Sequence, residues 1–326
     1  MPLIALVGCE EPFRPGHDLL KRLAGLDVSP SSCRRVSEAA GDDLKEWHRQ
    51  GGAVTPPPAP PWDFRLRDEA GRPTAATVAY VGLDQFAVPT LAADGRTVAW
   101  RMLYAGVVYD PAKRHHWYVA DFDREAVAAT LRRYACAANV SRAAQVVALT
   151  DGGNGLEALL RSGLSDGLVF VLDFWHASQH LHEWAGTRFG RDSPAAHAWA
   201  AACVGLLRLE GGVALVQRLR AETLPEGAGE EVREGHRKLV GYFEANQHRT
   251  DYPSYRARGW DIGSGPVEAE CKVLGGRLKR AGAKWLEAGA EDVAGLRALY
   301  QSGDGLWDAF WKQRRQRRAA AGYPRK

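Results

Sequence analysis

Three carboxylates stand where apolar runs end or a helix begins. YVGLDQF puts Asp84 at the end of one strand-like run, VVALTDGG puts Asp151 at the end of another, and IGSGPVEAECK puts Glu268 in the first turn of a helix. A lone carboxylate closing an apolar run is costly unless a metal ion or a partner compensates its charge. At the carboxyl end of a strand it points out of the sheet edge, where ligands bind. Hard divalent cations prefer oxygen ligands. Two of them about 3.5–4 Å apart activate an attacking water or 3′-hydroxyl and stabilise the leaving oxygen of a phosphodiester. Asp84, Asp151 and Glu268 together thus point to a site for two Mg²⁺ or Mn²⁺ ions. Each acid alone also has a plainer reading as a turn or helix-cap residue, above all Asp151 ahead of Gly152-Gly153-Asn154-Gly155.

A second group lies in DFWHASQHLHEW. Asp173, His176 and His180 are spaced by three and four, on one helix face. Histidines at that spacing bind zinc in some helices, but no Glu separates them here and no Cys ligand is near. Two further readings stand: Asp173 as a helix cap with packed histidines, or His176 and Trp175 touching nucleic acid beside the acids. The third group is the basic run Lys272, Arg277, Lys279, Arg280 and Lys284, with Trp285 alongside. Cations and an aromatic ring beside a metal site suit a nucleic-acid strand; the plainer reading is a solvated basic face. Gly263-Ser264-Gly265 is a weak phosphate loop, having no Gly-Lys-Ser/Thr ending.

These residues need elements to carry them. Residues 1–50 are helical in pattern, with a Gly-containing turn and Ser29 or Ser31 as cap of a helix bearing Arg34 and Arg35. That segment resembles a helix-turn-helix or a plain helical hairpin, with both arginines available to phosphates. A Pro-rich linker follows over residues 51–75. Residues 76–175 read as a strand meander and then strand–helix–strand alternation, a mixed α/β sheet. Residues 176–250 are almost all helix, broken around RDSP and LPEGAGEE, and form an insertion between the second and third acids. Residues 251–326 open with a loop and end in basic helices.

The charge of +4 is uneven: from Lys272 onward there are 13 Lys+Arg against 5 Asp+Glu, about +8. A basic end on a near-neutral body fits a polyanion partner, or a solvated C-terminal tail. The five cysteines are odd in number and scattered, as expected of reduced core thiols in a cytoplasmic protein. No run of about 18 apolar residues is present, so no membrane span is expected. The N-terminus lacks the basic start and small-residue cleavage site of a signal peptide.

TDGGNGL (150–156), LDFWHASQHL (172–181), GWDIGSGPVEAECK (259–272), GRLKRAGAKW (276–285) and LWDAFW (306–311), in this order and spacing, resemble the DDE transposases of bacterial insertion sequences, most closely the ISKra group. The resemblance spans roughly residues 15–315. It implies a ribonuclease-H-like fold with a helical insertion before the catalytic Glu. It also implies Asp84, Asp151 and Glu268 as the acids, with Glu270 as rival for the third, and an Asp173–His176 pair matching the D-x-x-H element of Mutator-like transposases. The implied activity cleaves element ends and transfers their 3′-hydroxyls to target DNA, with double-stranded DNA as partner, two copies on the DNA, and a nucleoid-associated location. Two alternatives stand beside it, a ribonuclease-H-like nuclease without strand transfer and a truncated DNA-binding regulator. Family members usually carry a longer N-terminal region with cysteine pairs, so a short start or a truncated copy is the expectation here.

Overall fold

The computed structural model describes residues 1–54, 61–92, 94–153, 155–165, 167–280 and 282–322. Its centre is a mixed sheet of β1 (Arg65–Arg67), β2 (Pro73–Leu91), β3 (Val98–Tyr109), β4 (His116–Asp121), β5 (Gln145–Thr150) and β6 (Val169–Leu172). The order is β4-β3-β2-β5-β6, with β1 paired to β2. β3 is antiparallel to both its neighbours, while β5 is parallel to β2 and to β6. Val78 to Leu83 and Val147 to Leu149 are fully buried or nearly so, as their continuous apolar content requires of strands covered on both faces.

One face carries α4 (Arg124–Ala137), whose Leu131 packs against Gly106, followed in the chain by α5 (Leu156–Gly163). The other carries α10 (Gly265–Leu278), whose Val267 packs against Gly82, and α11 (Glu287–Gln301). Asp123 starts α4 by accepting from the Glu125 and Ala126 amides at 3.0 and 3.3 Å.

The helical block is α6 (Phe174–Phe189), α7 (Pro194–Ala221) and α8 (Glu230–Ala245). Its breaks fall at RDSP and LPEGAGEE as expected, and α7 has one more. Gly211 leaves helical geometry at φ 85°, ψ −179°, and the next residue, Gly212, sits where a Cβ would meet the Thr250 side chain. Contrary to the sequence expectation, α7 is long and apolar enough to cross a membrane. Part of that apolar content is used in packing: Trp199 lies 4.6 Å from Trp184 between ring centroids, and Cys203, Leu207 and Leu215 are buried, while Leu209 and Val213 are exposed. The expected loop after the block contains a short helix, α9 (Tyr252–Ala257), capped by Asp251 and pinned by Tyr252 Oη donating to the Leu172 carbonyl at 3.0 Å.

Helices α1 (Pro2–Glu10), α2 (Phe13–Ala24) and α3 (Pro30–Arg49) precede the sheet. Ser29 caps α3, accepting from the Ser32 amide at 3.2 Å. α3 lies directly on α11, because Gly41 has no side chain to strike the Asp292 carbonyl, which an added Cβ would meet at 2.1 Å. Lys45 then donates to Asp292 at 2.8 Å.

Part of the expected linker belongs to the core. Trp62, Phe64 and Leu66 are buried, and Trp62 Nε1 donates to Asp304 at 3.0 Å; residues 55–60 of the Pro-rich run lie outside the described residues. The basic C-terminal run is likewise no free tail. It ends α12 (Leu306–Ala320), where buried Arg314 donates to Asp43 at 2.6 Å and Arg317 covers the Trp47 ring at 4.0 Å. Cys136 departs from the core-thiol expectation, being exposed on α4.

Candidate active site

Register brings the first two acids together. The parallel pairing of β2 with β5 ends at Leu83 opposite Thr150, so Asp84 and Asp151 are the next residues on adjacent strands. Asp84 is mid-strand, not at a strand end as expected, because β2 continues to Leu91 along β3. Burial raises the Asp84 pKa, and the Asp151 charge adds to that rise, against a backbone hydrogen bond from Gln85 at 2.7 Å. Asp151 accepts from the Gly153 amide at 3.3 Å, a turn contact. It does not cap α5, whose cap residue is Gly155.

α10 runs along β2 in the same direction: Val267 meets Gly82, Cys271 sits beside Asp84, and Gly275 stands over Phe86. Residues advance about 100° per position around a helix, so Glu268 and Glu270 occupy opposite flanks of this sheet-facing stripe. The Glu270 flank faces α1 and α11. Its carboxyl is buried, has an unpartnered Oε1, and is pushed up to about 8 by burial, with Arg297 opposing. The Glu268 flank is the one turned away from α1 and α11. Glu268 is exposed and pairs with Lys272 at 2.7 Å. Among the described residues no three His, Cys, Asp or Glu side chains gather closely enough to hold a metal ion. Asp84 and Asp151 are the assembled pair, and Glu268 stands off, held by Lys272.

The D-x-x-H element frames the pair. The Asp173 amide donates to the Thr150 carbonyl at 2.9 Å, which ties the start of α6 to the end of β5. The buried Asp173 carboxylate caps α6 through the His176 amide at 2.7 Å and also holds the Ser264 amide at 2.6 Å. Ser264 is therefore spent on Asp173, so the Gly263-Ser264-Gly265 phosphate loop is not free for an anion. Burial lowers the His180 pKa, and the His176 charge adds to that fall while Glu183 and Asp151 oppose it. The His176 and His180 rings lie 4.8 Å apart, and the His180 ring sits tilted against Tyr242 with centroids 4.3 Å apart. Asp173 acts as a helix cap, not a zinc ligand.

Three contributors were missed in the sequence. Cys271, three residues beyond Glu268, sits beside Asp84 and opposes the burial-driven rise of its pKa. Tyr242 fills the space over Gly152, where a Cβ would stand 2.3 Å from its ring. Arg249 is buried beneath Asp151 and donates to Thr150 Oγ1 at 2.8 Å. Helical spacing carried a signal for Cys271; nothing local marked Tyr242 or Arg249.

The expected nucleic-acid contacts divide. Arg34, Arg35, Lys272, Lys279 and Lys284 are exposed, and Arg280 is exposed although bonded to Glu11 at 2.8 Å. Trp175 is 66% exposed beside Gly263. Arg277 is a correction: it is 2% exposed, donates to the Gly8 carbonyl at 2.9 Å and stacks on Phe13 and Trp285. It follows Glu270 by seven positions and shares its inward flank, so no phosphate reaches it as expected.

The chain matches no protein-family model and no curated protein. Its chemistry is read from the residues. Two adjacent carboxylates, with burial and then the Asp151 charge raising the Asp84 pKa, fit a hard divalent cation as an oxygen donor pair.

Proposed function

We propose that this chain is a metal-dependent DNA transposase of the ISKra group, on a ribonuclease-H-like fold with an inserted helical block. The observation that carries this reading is the β2–β5 register, which makes Asp84 and Asp151 neighbours at the end of the parallel pairing. The strand order β4-β3-β2-β5-β6, with the middle strand of the meander antiparallel, supports the ribonuclease-H-like assignment.

In this reading Asp84 and Asp151 hold Mg²⁺ or Mn²⁺, and Glu268 completes the set after leaving Lys272. Two such ions supply activation of the attacking water or 3′-hydroxyl and charge stabilisation of the leaving oxygen. Asp173 keeps α6 and α10 in fixed relation, so the acids meet one scissile phosphate. His176 and Trp175 line the approach of the strand, and Lys272, Lys279, Arg280, Lys284, Arg34 and Arg35 bind backbone phosphates. The partner is double-stranded DNA, bound by two copies because two ends must be joined, in the nucleoid.

The test is a strand-transfer assay with precut duplexes carrying the element's own termini and Mn²⁺. Joined products that vanish in Asp84→Ala support transposition. Cleavage without joining makes the chain a nuclease. DNA binding that is unchanged in Asp84→Ala, with neither reaction, makes it a DNA-binding regulator.

A further inference from the structure

A cleft of about 540 Å³ lies between the N-terminal helices and the connection from α10 to α11. Its walls come from opposite ends of the sequence. Arg34 on α3 forms one side, and Arg280 and Lys284 form the other. The floor is apolar, from Leu91, Trp285 and Leu286. Two acids also line it, and both are engaged: Asp292 is bonded by Lys45 at 2.8 Å, and Glu38 pairs with Arg34 at 3.7 Å. Arg34 is thereby shared with Glu38 and Arg280 is bonded to Glu11 at 2.8 Å; with Arg277 and Lys284 the lining carries four cations against two acids. A ligand for such a cleft has an anionic part for the rim and a compact apolar part for the floor, and the volume is that of a small-ligand pocket.

The cleft also lies at the end of a track. Glu268, Lys272, Gly276 and Lys279 share one exposed flank of α10, and Gly276 has no heavy atom near the place of a Cβ. A strand can approach the helix backbone closely there. From Glu268 to Leu278, where α10 ends, the rise is roughly 15 Å at ~1.5 Å per residue, a distance that a few nucleotides of single strand cover.

We infer that this cleft receives one unpaired nucleotide of the DNA strand that runs along α10 from the catalytic acids. Arg34, Arg280 and Lys284 meet its phosphates, and Leu91, Trp285 and Leu286 hold its base. The inference rests on the proposed reading of the chain as a DNA enzyme. It extends that reading by assigning the N-terminal helices a wall of a nucleotide site.

The test is fluorescence anisotropy of the whole chain with three labelled duplexes in EDTA, which removes the metal chemistry. One duplex is blunt, one has a short single-stranded overhang, and one has the same overhang with every base removed. The overhang should tighten binding about tenfold over the blunt duplex, and removing its bases should abolish the gain. Ala288→Leu, which fills the cleft from the first turn of α11 without changing charge, should erase the overhang preference and leave blunt binding intact. Lys284→Glu should weaken the overhang duplex more than the blunt one, and thermal melting of both variants checks their folding. Equal binding of the base-containing and abasic overhangs, or a full preference in folded Ala288→Leu, overturns the cleft assignment while the proposed function stands. Failure to bind any of the three duplexes overturns both.

Discussion

Asp173 and Ser264 are joined twice: the Asp173 Oδ2 accepts from the Ser264 amide at 2.6 Å and from its hydroxyl at 2.5 Å. Through this contact the end of β6 and the start of α6 hold the start of α10, the helix that carries Glu268. A buried carboxylate with three donors cannot be truncated cheaply, because each donor is left without a partner. Asp173→Ala should cost about 3 kcal/mol of stability and abolish DNA cleavage. Asp173→Asn keeps one acceptor oxygen but loses a lone-pair set, and should retain part of both. Urea denaturation alongside a cleavage assay reads the two effects; an Asp173→Ala protein with wild-type stability and activity would remove the clamp from the argument.

Asp84 and Asp151 repel, and burial adds to the cost of ionising Asp84. Without metal, Asp84→Asn should therefore be neutral or stabilising, by about 1 kcal/mol or less. The same change should abolish Mg²⁺ or Mn²⁺ binding in calorimetry, since the donor pair is lost. Opposite signs in the two measurements are the signature of a site built for a cation at a cost to the fold. Asp84→Asn that binds metal as wild type does counts against the carboxylate pair as the metal site.

In the proposed reading Glu268 is the third acid and Glu270 a core residue. Glu268→Gln should leave the melting temperature within about 1 °C of wild type, since exposed ion pairs contribute little, and should reduce cleavage at least a hundredfold. Glu270→Gln should keep cleavage near wild type, because its side chain faces Arg297 and Glu10. The two variants assayed side by side with Mn²⁺ decide it. Inactive Glu270→Gln with active Glu268→Gln would exchange their roles.

Sheet and helical block were legible because their patterns are strong. Continuous apolar runs marked β2, β5 and β6, and Ser29 announced α3. What escaped was set by partners distant in sequence. Asp84 looked like a strand end since apolar content drops there, yet β3 pairs β2 as far as Leu91. Gly211 sits in an Ala- and Leu-rich helix where a single Gly is ordinarily tolerated, and its break answers to Thr250 across the fold. Arg277 stood in a basic run that reads as solvated. Its helical position beside α1 turned it inward, where Phe13 and Trp285 cover its charge. In the candidate site Asp84 and Asp151 were marked by type and spacing, Glu268 does not join them, and Tyr242 and Arg249 arrive from the far end of the helical block.

The joint between α3 and α11 should make stability depend on pH. Lys45, Arg49 and Asp42 on α3 face Glu291 and Asp292 on α11 and Asp121 on β4. Burial raises Asp292 to about 6 against the pull of Lys45, and burial followed by Glu291 raises Asp121. Glu291 is lowered: burial opposes, but hydrogen bonds with Asp121 and Lys45 outweigh it. A carboxyl with a raised folded pKa stabilises most below its unfolded value, and that stability is lost as pH rises through the folded value. Glu291 acts in the reverse sense, losing its contribution as pH falls through its lowered value. Stability should thus peak near pH 4 and decline by about 2 kcal/mol or more toward pH 8, with Glu270, raised to about 8, acting in the same direction. Asp121→Asn should flatten the decline without abolishing it. Urea midpoints from pH 4 to 9 measure both proteins, and parallel profiles would mean that the Asp121–Glu291 pair does not govern how α3 is held.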